Sequence, residues 1–368
     1  MRNLLYALIW PILFACNKES NTVSINSEKP NIINALDLSF TPLMEQNNVL
    51  YYKDSTAVPI LNLVHNKGIN TIRVRLWNNP VNTQSALPEV MDFAKRIKVA
   101  GMQFWLDFHY SDIWADPGSQ TTPKAWNNLP LLLLKDSIYQ YTKRTLRALK
   151  LQNAAPDYIQ VGNEINNGFL WPVGRINSFA DSNNVHLAEL LIEAIKACKE
   201  ELPQTKIMIH YAGYAGAREY FQMLINSHVQ FDIVGISYYP WWHGNKWNDL
   251  DIALSYLSTL YKPIVIAETA YPFTMLWNDW TTNVLGDSTN LIAGLKADVN
   301  GQANFIRELK KIVVKNQSVN TNYGMCYWAP EWVAYKGAMA TDGSPWENLT
   351  LFDFKNKALP ALDSLVIQ

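Results

Sequence analysis

The strongest constraint on the fold of this chain is a series of eight short runs rich in β-branched and aromatic residues, which alternate with longer segments of helical periodicity. The predicted strands are Ile32–Ser39, Thr71–Trp77, Gln103–His109, Tyr158–Asn163, Lys206–Tyr211, Asp232–Tyr239, Ile264–Glu268 and Tyr323–Trp328. The predicted helical segments include Leu87–Ala100, Leu131–Leu149, Val185–Glu201, Glu219–Ile225, Ile252–Tyr261 and Gly301–Val314. Gly68 and Gly101 each precede a strand, as glycines that end helices do. Eight such repeats favour a closed parallel (β/α)8 TIM barrel over a doubly wound sheet.

Composition agrees with one large domain. The chain has 368 residues, of which 48% are apolar and 17% charged. This is enough apolar material for a sizeable core, and no break in composition follows residue 30. We therefore expect residues 31–368 to form a single barrel domain. The net charge of -1 means that the chain has no excess positive charge to attract a polyanion, so we expect no nucleic-acid partner.

The first 30 residues have a different character. Met1–Asn3 is weakly basic, and Leu4–Ala15 is apolar but too short to span a bilayer as a helix. The segment ends in Leu13-Phe14-Ala15-Cys16, which resembles the lipobox of bacterial lipoproteins. We expect residues 1–15 to be a lipoprotein signal peptide, Cys16 to carry the lipid, and residues 16–30 to be a flexible tether. The alternative is an ordinary signal peptide with an incidental cysteine.

Two cysteines remain, Cys198 in a helical pattern and Cys326 in a predicted strand. An exported protein can pair two cysteines, but an isolated pair at this spacing is no disulfide framework, so we expect buried free thiols. The sequence has neither a CxxC nor an HExxH motif, and a catalytic metal is not indicated.

Polar side chains gather where the predicted strands end. In a parallel barrel these ends meet at one face, which carries the active site. A purely structural explanation would require many buried charges, each of which is costly unless paired. The residues concerned are Asp37, Arg73, Arg75, Asp107, His109, Asn163, Glu164, Tyr211, Ser237, Tyr239, Glu268 and Trp328.

Two of these residues are candidate catalytic carboxylates. Glu164 follows the fourth predicted strand and Glu268 ends the seventh, so the two lie across the barrel mouth from each other. Retaining glycosidases need two carboxyl groups about 5–5.5 Å apart, one protonated and one ionised. Like-charge proximity separates the pKa values of such a pair. Either glutamate alone could be a structural ion-pair partner, but the combination favours catalysis. The 14 Trp and 18 Tyr agree with this, because aromatic rings bind sugar faces, although they also fill large cores.

Asn163-Glu164 after strand four and Glu268 after strand seven resemble the clan of (β/α)8 retaining glycosidases. More narrowly, the chain resembles glycoside hydrolase family 53, the arabinogalactan endo-β-1,4-galactanases, from about Asp37 to Leu365. The segments that carry this resemblance are Gly68–Asn78, Leu106–Gly118, Val161–Gly168, Ile236–Gly244, Ala267–Pro272, Trp346–Asn348 and Leu351–Asp353.

The resemblance implies roles for the residues at the barrel mouth. Glu164 would be the acid/base and Glu268 the nucleophile that forms a covalent galactosyl-enzyme. Asn163 would bind the 2-hydroxyl of the reacting sugar. Arg75 would hold Glu268 ionised through a charge-assisted hydrogen bond, with Arg73 as a deeper structural ion-pair residue.

Other residues would bind substrate or support the site. Tyr239 would donate its hydroxyl to the nucleophile, while its neighbour Tyr238 points into the barrel wall. Trp328 would form the hydrophobic floor beneath the sugar, and Asp107 and His109 would orient groups around the acid/base. The remaining candidates are Asp37, Asp112 and Ser237 as supporting residues and Trp114, Trp241, Trp242 and His243 as lining for further subsites.

The sequence departs from the family in two places. Strand eight of the family usually continues as Trp-Glu-Pro-Ala-Trp, whereas this chain has Trp328-Ala329-Pro330-Glu331-Trp332. Several bacterial members also bind calcium in the long loop after strand seven. Here only Asp279 and Asn283 match that pattern, and a hard cation needs six to eight oxygens, so calcium is possible but not expected. That loop, Phe273–Asn300, could extend the substrate groove or act as a lid.

We therefore expect a secreted, lipid-anchored bacterial endo-β-1,4-galactanase that acts as a monomer on galactan and its oligosaccharides, without a cofactor. Two alternatives remain open from the residues alone. The first is an endo-acting β-mannanase or β-glucanase of the same clan. The second is a non-catalytic, lipid-anchored glycan-binding protein.

Overall fold

The computed structural model describes residues 31–367 apart from Asp181, Asn183 and Asn320. The signal peptide, the candidate lipidation site Cys16 and the tether, predicted at residues 1–30, lie outside the described residues.

Eight parallel strands close into a barrel in which each strand pairs with its sequence neighbours and the last pairs with the first. This confirms the predicted (β/α)8 fold. The observed strands differ from the predicted ones by one or two residues at their ends. They are β1 Ile33–Asp37, β2 Thr71–Leu76, β3 Gln103–Phe108, β4 Tyr158–Val161, β5 Lys206–Ala212, β6 Ile233–Tyr238, β7 Ile264–Thr269 and β8 Gly324–Trp328.

Helices lie between the strands, and each of the six predicted segments coincides with one, although the segment predicted to reach Tyr261 is helical only to Ser258. Gly68 and Gly101 have φ of 90° and 77°, the left-handed conformation that ends a helix at low cost for glycine. Four short helices and a hairpin, Tyr52–Lys53 with Thr56–Ala57, were not predicted. The helices are α1 Thr41–Gln46, α2 Ile60–Asn66, α3 Leu87–Val99, α4 Leu131–Leu151, α5 Asn184–Glu201, α6 Ala217–Asn226, α7 Pro240–His243, α8 Trp247–Ser258, α9 Val299–Lys315 and α10 Ala361–Ser364.

The barrel interior holds a plug of apolar side chains that is separate from the larger core between the strands and the helices. Gly235 makes room for part of this plug, because a Cβ there would lie 2.8 Å from Met208 Sδ. The plug fills the lower part of the barrel, so the polar inward-facing residues lie above it, towards the carboxyl ends of the strands. Its members are Ile33, Ala35, Trp105, Tyr158, Met208, Ile233, Val265, Ala267 and Cys326.

A register irregularity in β7 gives Glu268 its direction. Ile236 pairs with Ile266, but the next residue of β6, Ser237, pairs with Glu268, so Ala267 is an extra residue in β7. In a regular strand, Ala267 and Glu268 would face opposite sides. With the bulge, Ala267 belongs to the interior plug and Glu268 still faces the cavity above it.

Both cysteines in the described part of the chain, Cys198 and Cys326, are buried free thiols, as expected. None of the described helices has the length and apolar character needed to cross a membrane.

Candidate active site

A cavity of about 510 Å³ opens at the carboxyl ends of the barrel strands. It contains both candidate catalytic glutamates and is walled by aromatic and charged side chains. The lining residues are Asp37, Arg73, Arg75, His109, Trp114, Ala115, Asp116, Pro117, Asn163, Glu164, Ala212, Tyr239, Trp242, His243, Glu268, Val284, Trp328, Trp332, Pro345 and Trp346.

Glu164 sits in an unusual backbone conformation just past β4. Its φ is 49°, in the left-handed region that side chains seldom adopt, and Gly162 before it has φ of 85°. Neighbouring segments hold this turn: the Gln120 side-chain amide donates to the Asn163 carbonyl at 2.8 Å, and Ile165 N donates to the His210 carbonyl at 3.0 Å. The turn therefore directs Asn163 and Glu164 into the cavity together.

Arg73 is the centre of the buried charge network. Its Nη1 lies 2.6 Å from Asp37 Oδ2 and 2.9 Å from Glu268 Oε1, and its Nη2 lies 2.8 Å from Asp107 Oδ2. Nη2 also donates to Asn163 Oδ1 at 2.8 Å. All of these groups are nearly inaccessible to solvent. One guanidinium thus compensates three carboxylates, including the candidate nucleophile.

The expected contact between Arg75 and Glu268 is absent, and Arg73 makes it instead. Arg75 lies two residues further along β2, where its guanidinium carbon stands 4.1 Å from the ring centroid of Phe40 and 4.3 Å from that of Trp114. Its Nε donates to Ser85 Oγ at 2.8 Å. Burial lowers the pKa of Arg75 to about 10. Arg75 therefore supports the aromatic wall of the cavity by cation–π contact.

The two glutamates have different partners. Glu268 has the Arg73 guanidinium and accepts a hydrogen bond from the Tyr239 hydroxyl at 3.0 Å. Glu164 accepts a hydrogen bond from Ser237 Oγ, and burial raises the pKa of Glu164 to about 7. Burial raises the pKa of Glu268 well above its usual value, and the Arg73 guanidinium opposes this by favouring the carboxylate. Glu268 contacts the Arg73 guanidinium directly and Glu164 does not, which favours the ionised form at Glu268 and the pair's shared proton on Glu164.

Aromatic side chains form the rest of the cavity wall. Trp328 packs edge-on against Trp346 at 4.6 Å between ring centroids, and Trp332 stacks on Phe40 at 3.7 Å. Trp114, Trp242, His243 and Trp328 line the cavity as candidates for sugar contact. Trp241 is not among the residues that line this cavity, and its ring packs against Tyr239 and Trp346.

Several predicted residues support the site through hydrogen bonds to neighbouring protein groups. Asp107 is fully buried and binds Arg73 and His109, with His109 Nε2 at 3.0 Å from Asp107 Oδ2. The Ala115 and Trp77 N–H groups both donate to His109 Nδ1, so His109 carries its proton on Nε2 and donates it to Asp107. Asp112 accepts backbone N–H groups of neighbouring loop residues.

Tyr238 and Tyr211 both face away from the barrel interior, but only the direction of Tyr238 was predicted. Tyr238 packs against Phe305 and Trp247 in the wall, as the strand alternation implied. Tyr211, counted among the polar strand ends, also faces outwards: it contacts Tyr220 of α6, and its hydroxyl donates to the Ala215 carbonyl. Tyr211 is therefore not part of the cavity.

Sequence reasoning missed several residues of the site. Gln160 and His210 lie inside the barrel and hydrogen-bond to each other and to Asn163. The available signal was their place on the inward face of β4 and β5, two residues beyond Tyr158 and Met208. The lining residues Asp116, Pro117, Val284, Trp332, Pro345 and Trp346 come from loops and had no such signal.

Glu331, the glutamate that occupies a different position here than in the family pattern after strand eight, has a structural role. Glu331 Oε1 accepts a hydrogen bond from Phe40 N at 3.0 Å, and the Tyr51 hydroxyl donates to the Glu331 carbonyl at 2.7 Å. Burial raises the pKa of Glu331 to about 8. Glu331 thus joins the segment after β8 to the β1 loop that carries Phe40.

The loop after β7 reaches the cavity through Val284 alone. Asp279 and Asn283, the two matches to the calcium pattern, are buried, and Asp279 Oδ1 accepts a hydrogen bond from Thr281 N at 2.7 Å. Within the described part of the chain, no group of three or more His, Cys, Asp or Glu side chains is placed to hold a metal ion. Two side chains fall short of the six to eight oxygens that calcium requires.

The chain is similar to known proteins over almost the whole barrel. The sequence profile of glycosyl hydrolase family 53 matches residues 33–365. An arabinogalactan endo-beta-1,4-galactanase of Cellvibrio japonicus is 35% identical over 343 residues, covering 88% of each chain. The catalytic domain of a family 53 protein from Ignisphaera aggregans superposes with a TM-score of 0.83 at 37% identity, covering 93% of this chain and 97% of that one. A fungal beta-1,4-galactanase structure gives a TM-score of 0.77 at 28% identity, with 90% and 98% coverage.

Proposed function

The chain belongs to glycosyl hydrolase family 53, and on that premise we propose that it hydrolyses β-1,4-galactosidic bonds within galactan chains, including the type I arabinogalactan side chains of pectin. The observation that carries the chemistry is the pair of unequal glutamates in one cavity. Glu268 contacts the Arg73 guanidinium, which favours its carboxylate form, and Glu164 has a pKa raised to about 7 by burial. This is the division of protonation that a retaining glycosidase uses.

In the first step, Glu268 attacks the anomeric carbon of the bound galactose unit, and the bond to the leaving sugar breaks. Glu164 gives its proton to the departing glycosidic oxygen. Arg73 and the Tyr239 hydroxyl keep the attacking carboxylate ionised and fix its orientation. The product is a galactosyl ester of Glu268 and a shortened chain with a new hydroxyl end.

In the second step, Glu164 is ionised and takes a proton from water, which attacks the same carbon. The ester bond breaks, Glu268 returns as a carboxylate, and the anomeric configuration is retained. Asn163 lies beside Glu164 and is oriented by Arg73 and by a hydrogen bond from its Nδ2 to the Ala115 carbonyl at 2.8 Å. This position suits a hydrogen bond to the 2-hydroxyl of the reacting sugar.

Substrate preference is tested by reducing-end release from galactan, mannan and carboxymethylcellulose. We expect activity on galactan, with products of mixed length early in the reaction as for an endo-acting enzyme. Activity confined to mannan or carboxymethylcellulose would contradict the galactan assignment and favour a mannanase or glucanase. A purified protein that binds galactan without cutting it would instead be a glycan-binding protein.

The role of Glu268 is tested by azide rescue. Glu268→Ala should abolish turnover yet bind galacto-oligosaccharides nearly as well as the unsubstituted protein. Added azide should restore reaction of an activated galactoside and give a galactosyl azide of inverted configuration, because azide replaces the missing carboxylate. Activity of Glu268→Ala close to that of the unsubstituted protein would exclude this residue as the nucleophile.

We also propose that the protein is exported as a lipoprotein anchored through Cys16, which would keep the enzyme at a bacterial membrane surface. The support is the sequence Leu13-Phe14-Ala15-Cys16 and the polar stretch after it. Metabolic labelling with a radioactive fatty acid should label the protein, and Cys16→Ser should remove the label. Labelling that survives this substitution would exclude Cys16 as the acceptor.

A further inference from the structure

A chain of hydrogen bonds runs from the central arginine to the proposed acid/base across the barrel interior. Arg73 Nε lies 3.1 Å from Gln160 Oε1, and Gln160 Nε2 lies 3.0 Å from His210 Nδ1. His210 Nε2 lies 2.9 Å from Ser237 Oγ, which in turn contacts Glu164 Oε1. Gln160, His210 and Ser237 are fully inaccessible to solvent, so water does not compete for these bonds.

The chemistry of the first residue gives this chain a direction. A guanidinium group has only donors, so the Gln160 atom that faces Arg73 must be its oxygen and its amide nitrogen must face His210. The amide nitrogen has two hydrogens and three acceptors within reach, which are His210 Nδ1 at 3.0 Å, Asn163 Oδ1 at 3.1 Å and the Gly162 carbonyl at 3.2 Å. We assign one hydrogen to His210 Nδ1, the nearest of the three. A neutral imidazole that accepts at Nδ1 carries its proton on Nε2 and donates it to Ser237. Ser237 is left to donate its single hydroxyl hydrogen to Glu164.

The opposite tautomer of His210 fits less well. It would donate from Nδ1 to Asn163 Oδ1, which lies at 2.9 Å. That oxygen already accepts from Arg73 Nη2 at 2.8 Å and from Gln160 Nε2 at 3.1 Å, which occupies both of its lone pairs. The Nε2 lone pair would also compete with Glu164 for the one hydrogen of Ser237.

His210 stays neutral in this environment. Burial lowers the pKa of His210 well below its usual value, and the neighbouring Arg73 charge lowers it further. The other ionisable groups that face it are Asp107, His109 and His243. A neutral ring with one N–H can only relay orientation along the chain, because it has no additional proton to give.

We propose that Gln160, His210 and Ser237 are positioning residues that occupy Oε1 of Glu164 with a permanent donor and so confine the catalytic proton to Oε2. The proposal rests on the assignment of Glu164 as the acid/base. In the first step Oε2 gives its proton to the glycosidic oxygen, and in the second step Oε2 regains one from water. The hydrogen bond at Oε1 is the same in both states, and no proton of Ser237 or His210 is transferred.

The tautomer is measured directly on the unsubstituted protein. The chain has six histidines, so ¹⁵N-histidine labelling with a His210→Gln spectrum for assignment identifies the His210 signals. We expect a neutral ring with its proton on Nε2 from about pH 5 to pH 8. A proton on Nδ1, a charged ring, or a tautomer that changes as Glu164 titrates would each overturn the proposal. This measurement needs no substrate, so its result is independent of the galactan assignment.

The effect on Glu164 is measured from the pH profile of kcat/KM. Ser237 donates to Glu164 and favours its ionised form, so Ser237→Ala should raise the pKa of Glu164 and move the alkaline limb up by about one pH unit. Arg73, Asp107, Asp116 and Glu268, which also face Glu164, are unchanged in this variant.

Glu164→Gln separates this proposal from the assignment of the acid/base itself. Glu164→Gln should lose the alkaline limb if Glu164 is the acid, whatever the role of Ser237. A Ser237→Ala profile with lower kcat/KM but an unmoved limb would show that Ser237 only packs the site. Such a result would overturn the proposed positioning role of Gln160, His210 and Ser237 while leaving Glu164 as the acid/base.

Discussion

Arg73 Nη1 lies 2.9 Å from Glu268 Oε1, and this contact joins the proposed nucleophile to the buried charge network of the barrel. The same guanidinium binds Asp37 and Asp107, and it begins the hydrogen-bond chain that ends at Glu164. One residue of β2 therefore acts on both catalytic carboxylates. It contacts Glu268 directly, and it acts on Glu164 by its charge and by orienting the groups between them.

This arrangement predicts that Arg73→Lys is damaging although it keeps the positive charge. A lysine ammonium has three donors on a flexible stem and cannot reproduce the planar contacts to three carboxylates and Gln160. We expect kcat/KM to fall about 100-fold or more and the thermal midpoint to fall as well, because a carboxylate is left buried without its partner.

The matched control for this substitution is Arg96→Lys. Arg96 pairs with Glu45 at the surface, where both side chains are substantially exposed, so its replacement should change neither activity nor stability measurably. Steady-state kinetics and thermal unfolding of both variants make the comparison. Similar behaviour of the two would contradict a special role for Arg73.

Tyr239→Phe should change the acid limb of the pH profile. The Tyr239 hydroxyl donates to Glu268 Oε2 at 3.0 Å, and burial together with the charge of Glu268 keeps the pKa of Tyr239 well above its usual value, so the donor is always present. Its loss removes stabilisation of the ionised nucleophile and raises the pKa of Glu268. The acid limb of kcat/KM should move to higher pH, and kcat should fall about 10- to 100-fold.

Tyr238→Phe provides the neighbouring control. The Tyr238 hydroxyl donates to the Gly244 carbonyl, and its ring lies in the barrel wall away from the carboxylates. We expect an unchanged pH profile for this variant. An equal shift of the acid limb in both variants would mean that a general loosening of β6, and not the hydroxyl at residue 239, is responsible.

The raised pKa of Glu164 also has a consequence for stability. With a folded-state pKa of about 7, above the value in the unfolded chain, folding favours the protonated form of Glu164. Stability from this residue is therefore fully present below the unfolded pKa and is lost as pH rises towards 7. Glutamine stays neutral at every pH. The thermal unfolding midpoint of Glu164→Gln should therefore be about 1–3 °C higher than that of the unsubstituted protein between pH 5 and pH 8.

Thermal unfolding of the two proteins at matched pH values measures this difference. The activity of the unsubstituted enzyme should fall over the same pH range, because Glu164 must be protonated to act as the acid. A midpoint difference that does not grow with pH would show that the folded protein does not keep Glu164 neutral between pH 5 and pH 7.

The sequence was sufficient for the barrel and for placing both glutamates at the carboxyl ends of their strands, because the periodicity of a segment and its end are local properties. It assigned the contact with Glu268 to Arg75, whereas Arg73 makes it. Both lie on the inward face of β2, and alternation gives the face of a residue but not its depth. Arg73 lies level with the carboxylates, while Arg75 meets Phe40 and Trp114, which come from other βα loops.

The direction of Glu268 was also beyond sequence reasoning. Regular alternation from Val265 and Ala267, both in the interior plug, would point Glu268 outwards, and only the bulge against β6 returns it to the cavity. A bulge depends on the pairing of two strands, so neither strand sequence predicts it alone. Adjacent aromatic residues also differ in a way that the sequence does not show: Trp242 lines the cavity, whereas Trp241 does not.

Trp242 therefore provides a test of which tryptophans bind substrate. Its side chain is 56% exposed at the cavity, where a ring can stack on a sugar without displacing protein contacts. Trp242→Ala should raise KM for galacto-oligosaccharides about 3- to 10-fold with little change in kcat, since it removes binding distant from the reacting bond.

Trp280→Ala is the matched control, because Trp280 is similarly exposed at 63% but lies outside the cavity lining. Kinetics on oligosaccharides of increasing length compare the two, and a KM increase for Trp280→Ala confined to the longer substrates would place the loop after β7 in the substrate groove.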